Sequence, residues 1–278
     1  MPAAQHLRAQ IEANLAERIP SALTPLPRVP SPVAPTGIRE IDALLHGGFP
    51  VGALSEIVGP DCSGRTSLTL AFVAGMTQEG KVCAWVDVSD TLHPESAAAL
   101  GVDLSRLLWI RCGVLSKPRP EPRQAGPQLT PFPSPGRNTG PKRKLWSRLE
   151  QGLRVSDLLL QAGGFSCIVL DMGSLPAEYA LRVPLATWFR FRAAAERLQA
   201  NVLLLTQHAC SRNSASLVLR LNPRSVLNRD STIFTGLEHK AELARQRFPQ
   251  DNVLPLRKQP QSVQTAEWQA RTVWAGPR

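Results

Sequence analysis

Residues Gly59-Pro60-Asp61-Cys62-Ser63-Gly64-Arg65-Thr66 carry the phosphate-loop pattern G-x-x-x-x-G-K-[ST] at every fixed position except one. The chemistry of that pattern is direct. Glycines let backbone N–H groups curl around phosphate oxygens, a lysine reaches the terminal phosphates, and the hydroxyl holds magnesium. Here Arg65 stands where the lysine belongs. Thr66 is the candidate magnesium ligand, and Ser67 opens the segment that follows. The plainer alternative is a glycine turn between a strand and a helix.

Context favours the phosphate loop. Ala53-Leu54-Ser55-Glu56-Ile57-Val58 predicts a strand entering it, and Ser67 to Ala74 predicts a helix leaving it, with the positive end of its dipole at the site. Further strands are predicted at Val82–Asp87, Leu107–Arg111, Phe165–Asp171, Val202–Gln207, Ser216–Leu221, Thr232–Phe234 and Ala241–Phe248. Helices are predicted at Thr36–Leu45, with Thr36 as N-cap, near Pro94–Leu100, at Leu145–Gln161 and at Pro184–Gln199. Alternating strands and helices predict an α/β fold, a mostly parallel central sheet between helices. Ligands of such sheets bind at the carboxyl ends of strands, where both the phosphate loop and Asp171 fall.

The flanks differ in character. Leu7, Ile11, Leu15 and Ile19, four apart, predict an amphipathic N-terminal helix, and a proline-rich stretch tethers it. Val114 to Pro141 holds eight prolines and no apolar period, which predicts a disordered insertion. Residues after Pro249 form a polar tail containing Trp268 and Trp274. The organisation is therefore 1–35 helix and tether, 36–248 core with an insertion at about 114–141, and 249–278 tail.

The net charge is +10 and the pI about 10.1, which favours a polyanionic partner. Much of the excess lies between Val114 and Arg148, where eight basic residues face one acid. Lys142, Arg143 and Lys144 are the candidate nucleic-acid contacts, and a solvated basic linker is the alternative. The five cysteines are scattered without a C-x-x-C, so reduced thiols are expected. No apolar run is long enough for a membrane helix and no signal peptide is evident, so the expected compartment is the cytoplasm.

From Thr36 to Val102 the chain resembles the bacterial RecA recombinase family in order and spacing. The residues that carry it include Thr36-Gly37, Gly47-Gly48, Gly59-Pro60, Ser63-Gly64, Thr66, Leu68-Thr69-Leu70, Glu79-Gly80-Lys81, Asp87, Pro94 and Leu100-Gly101-Val102. The resemblance implies ATP and magnesium as candidate cofactors, Asp171 as the Walker B acid beside Thr66 on the metal, and Gln207 as the sensor glutamine. It also marks departures. Ser89 falls where the family has the glutamate that activates water, and a serine is no base near neutral pH. Ser96 replaces the tyrosine that stacks on adenine, and His93 an aspartate near it. The two DNA-gripping loops look shortened. Arg245 and Arg247 are spaced like basic residues the family offers to a neighbour's nucleotide, or are exposed strand charges.

This combination resembles the RecA-related accessory proteins of the ImuA type, which implies a role in damage-induced translesion mutagenesis of the SOS kind. The implied partners are a Y-family-like polymerase relative of the ImuB type, RecA itself, a second copy of the chain, and DNA held weakly. Three functions stay open: a docking platform with little or no ATP hydrolysis and no catalytic residue, a nucleotide-gated switch that binds ATP without turnover, and an active recombinase.

Overall fold

The structure, a computed structural model, describes residues 5–7, 9–10, 13, 32–113, 141–229, 233–246 and 263–271. The chain divides into two units, Met1–Ser31 and Pro32–Arg278. In the first, residues 5–7, 9–10 and 13 are helical and Leu7 is exposed. Ile11, Leu15, Ile19 and most of the proline tether lie outside the described residues, as do residues 114–140 of the insertion, Arg247 and Trp274.

In the second unit β1 (Val33–Ala34) and β2 (Phe49–Pro50) pair antiparallel on either side of α1 (Arg39–Leu44). Then come β3 (Leu54–Val58), α2 (Arg65–Gln78), β4 (Cys83–Asp87), α3 (Pro94–Ala99) and β5 (Leu107–Arg111). These are followed by α4 (Pro141–Ala162), β6 (Cys167–Asp171), α5 (Ala177–Ala180), α6 (Leu185–Leu198) and β7 (Asn201–Thr206). The chain continues through β8 (Leu217–Arg229), β9 (Ile233–Gln246) and β10 (Thr265–Arg271). One eight-stranded sheet runs β10-β9-β8-β3-β7-β6-β4-β5. It is parallel from β8 to β5 and antiparallel across β8, β9 and β10.

The inner strands are buried throughout, which is why β3, β4, β6 and β7 are nearly continuous apolar runs. Their side chains alternate between two cores. Cys167 and Val169 join Leu68 and Phe72 of α2 on one face, while Ile168 and Leu170 join Leu160 of α4 and Trp188 and Phe191 of α6 on the other. Cys83, Cys112, Cys167 and Cys210 are buried free thiols, and Cys62 is exposed.

Several expectations shift. Thr36 does not cap the first helix. Its N–H donates to Asp42 Oδ1 and its hydroxyl accepts from Ile38 N, so it braces the turn before α1, whose N-cap is Ile38. The helix expected from Leu145 begins at Pro141, where the fixed φ of proline suits a first helical turn, so Lys142, Arg143 and Lys144 stand on helical backbone rather than in the insertion. The two short strands expected near residues 232–234 and 241–248 are one long β9, because its register with β8 absorbs irregularities at Val218/Leu219, Pro223/Ser225 and Leu227/Asn228. Thr265–Arg271 of the expected polar tail is β10, a sheet strand with Trp268 buried. Among the described residues no helix is long and apolar enough to cross a membrane.

Candidate phosphate-binding site

Where β3 ends, the chain must reverse into α2 within a few residues. Gly59 N–H donates to Thr206 O at 3.1 Å, and a Cβ at Gly59 would lie 2.3 Å from Leu221 O, so only glycine passes here. Cys62 (φ +59°) and Gly64 (φ +87°) are left-handed, an alternation of backbone conformation that anion nests use, and Ser63 N–H between them closes the turn on Pro60 O at 3.3 Å. Gly64 is also the N-cap of the fourteen-residue α2, whose first N–H groups have no carbonyl partner within the helix.

The loop opens on a cleft of about 280 Å³ lined by Asp61, Cys62, Ser63, Gly64, Arg65, Thr66 and Ser67 together with Asp171. Gly59, Pro60 and Gln207 line a neighbouring cleft instead. Gln207 is still tied to the loop, since its Nε2 donates to Asp61 Oδ1 at 3.4 Å.

Arg65 is buried and its guanidinium is committed. Both terminal nitrogens donate to Gly173 O at 3.2 Å, and Nη2 also donates to Asp61 Oδ1 at 3.3 Å. Burial lowers the Arg65 pKa from its ordinary value, against the attraction of Asp171 and Asp61. Asp171 is buried at the end of β6 and accepts Gly173 N–H on Oδ1 at 2.9 Å. Burial pushes its carboxyl up to about 6, with the Gly173 N–H and the Arg65 charge opposing the rise. Asp171 pairs in register with Asp87 on β4. Asp87 is buried too, and holds the turn carrying Ser89 by accepting Thr91 N, Leu92 N and Trp109 Nε1. Ser89 Oγ accepts Ser174 N–H at 3.0 Å, so it fastens the segment after β6.

Three features of the site escape sequence reading. The first is its roof. His239 on β9 and Trp268 on β10 stand opposite each other in the antiparallel pairing, with ring centroids 4.6 Å apart. A Cβ at Gly64 would come within 2.7 Å of Trp268 Cζ2 and 3.0 Å of His239 Cδ2. The second is Gly173, where the Arg65 and Asp171 interactions meet. The third is Glu56, fully buried on β3, which accepts Cys210 N at 2.7 Å, Ser211 N, Ser211 Oγ and Thr206 Oγ1. It anchors the loop after β7. One signal existed for the roof: Ala266, Trp268 and Ala270 alternate, as do Leu237, His239 and Ala241.

The residues present fit a phosphate chain, because the nest, the helix N-terminus and the Thr66 hydroxyl converge on one cleft. They do not fit a magnesium site. One Asp171 oxygen is engaged by Gly173 N–H, and the Arg65 charge beside the carboxylate opposes a second cation there.

A strand–glycine loop–helix at the carboxyl end of an inner strand of a mostly parallel sheet defines a P-loop α/β protein. The particular kind follows from the sequence. The family model for the RecA N-terminal domain matches residues 23–114. RecA of Prochlorococcus marinus is 40% identical over 99 residues, covering 36% of this chain and 26% of that protein. RecA of Streptomyces avermitilis is 33% identical over 164 residues, covering 59% and 34%. The crystal structure of the RadB recombinase superposes with a TM-score of 0.50 at 20% identity, covering 78% of this chain and 91% of that one, and so shows the fold. The chain is RecA-like, and it spans about a quarter to a third of the length of these RecA relatives.

Proposed function

We propose that this RecA-like chain is a DNA-repair accessory protein, a docking and weak DNA-binding platform with little or no ATP hydrolysis. The observation that carries this reading is the state of the two catalytic positions. Arg65 folds onto Gly173 and Asp61, and Ser89 accepts a hydrogen bond from Ser174 where the family's water-activating glutamate is expected. Losing a general base removes about 10²–10⁴-fold of rate. Arginine also fits a lysine's place poorly, since its charge is spread over a planar fork.

The finer reading is an ImuA-type role in the SOS response, with partners among Y-family-like polymerase relatives of the ImuB type, RecA and a second copy of the chain. It rests on a RecA-like core without RecA's catalytic residues, joined to an N-terminal helix on a proline tether. Pull-down from damage-treated cells with the full chain tests it. Repair polymerases or RecA should be captured, and Leu7→Asp plus Ile11→Asp should weaken capture while the melting temperature holds. Capture of neither would contradict the platform reading. The nucleotide-gated switch remains the second reading, favoured by the intact cradle around Gly64 and Thr66.

A further inference from the structure

The cleft carries two cationic or proton-donating side chains that the phosphate-loop pattern does not call for. Arg65 is one, and it lies where its charge acts on Asp171. A Cβ at Gly173 would lie 3.0 Å from Asp171 Oδ1 and 3.2 Å from Arg65 Nη1, so one glycine separates the acid from the guanidinium. Divalent metal in a phosphate loop neutralises the phosphate chain and bridges it to the acid. Here a fixed side-chain cation already stands beside that acid. A guanidinium has five N–H donors. Arg65 makes three hydrogen bonds, which leaves donors over on the side chain that lines the cleft.

His239 is the other. It is 1% exposed and lines the same cleft, yet its Nδ1 has no hydrogen-bond partner. Ser63 Oγ, in the loop below, is likewise buried without one. Buried polar atoms are almost always paired, and these two belong to residues that line one cleft, so a polar ligand seated in it would be within reach to complete them. The helix N-terminus beneath them makes that ligand an anion.

We infer that the cleft binds a phosphate-chain anion without a divalent metal, with Arg65 as its built-in cation and His239 as a donor from the roof. This rests on the reading of Gly59–Thr66 as a retained phosphate cradle. The shared chemistry is the phosphate chain, and its source is either a free nucleotide or a nucleic-acid backbone.

The test uses the full chain and isothermal titration with ATP, inorganic tripolyphosphate and a short single-stranded oligonucleotide, each in EDTA and in magnesium. ATP and tripolyphosphate should bind with dissociation constants that agree within about twofold between the two conditions. His239→Ala should weaken both by about tenfold, the scale of one hydrogen bond. Arg65→Met should weaken them by about a hundredfold, as loss of a charged partner does. If tripolyphosphate fails and only the oligonucleotide saturates the cleft, the source is nucleic acid, provided His239→Ala weakens it. Binding that requires magnesium, or no saturable binding of any probe to the wild-type chain, overturns the inference without recourse to a variant. ATP turnover would contradict the proposed function and leave this inference standing. Metal-dependent binding without turnover would do the reverse.

Discussion

Arg65 and Gly173 meet in the lining of the cleft, the guanidinium donating through both terminal nitrogens to one carbonyl oxygen at 3.2 Å. That carbonyl belongs to the residue whose N–H donates to Asp171. The arginine of α2 and the acid of β6 therefore grip the two sides of one glycine. The lysine expected by the motif would have a single ammonium to offer and no fork to close this arrangement.

Arg65→Met should expose how much the grip contributes. It leaves the buried Gly173 carbonyl without this donor and removes the cation near buried Asp171, while exposed Asp61 keeps Gln207 and solvent. Orphaning such groups costs about 2–4 kcal/mol, a fall in Tm of roughly 5–10 °C in a domain of this size. Arg65→Lys should lose less, because charge remains. An unchanged Tm in Arg65→Met would mean that the guanidinium is not held there.

Asp171 predicts a pH dependence. Its folded pKa, about 6, lies above the ordinary 3.8, so the folded chain binds the proton more tightly than the unfolded one. This group therefore favours folding most below its unfolded value. The advantage is lost as pH rises to about 6, on the order of 3 kcal/mol in all. Asp171→Asn keeps an oxygen to accept Gly173 N–H and has no charge to bury. Its stability, followed by denaturant titration from pH 4 to 7, should fall less over this range than that of the wild type. The variant should also be the more stable at pH 7. A variant less stable at pH 7 would show that the carboxylate charge is stabilising there.

Much of this was written in local sequence. The phosphate loop is a contiguous pattern, and the inner strands are apolar runs that can be buried only between two layers. What depends on distant pairing was not. Trp268 sits in a polar stretch, and nothing nearby says that it lies opposite His239 on a strand separated from it by residues 247–264. The orientation of Arg65 is set by Gly173, more than a hundred residues away. Thr36 braces a turn instead of capping α1, because Ser/Thr side chains do either from the same local sequence.

Trp268 makes the role of the last strand measurable. It is 5% exposed and packs in the core shared with Leu68 and Phe72. Trp268→Ala should cost about 3–5 kcal/mol, as large aromatic truncations in cores do. A loss under about 1 kcal/mol, typical of surface positions, would return β10 to the status of a tail.

Lys142, Arg143 and Lys144 open α4 on a stretch of high positive charge. Changing all three to Gln should weaken DNA binding equally across sequences. It should reduce the slope of log K against log salt by about 2–3, the counterions of three phosphate contacts. An unchanged slope would make this segment a linker.

The central claim is that a RecA-like core has kept its phosphate cradle and lost hydrolysis. Phosphate release from ATP by the full chain, with magnesium and with or without single-stranded DNA, tests it most directly. The account predicts no release above background in either condition. Turnover in the ordinary enzyme range of about 1 s⁻¹ or more, abolished by Asp171→Ala, would contradict it.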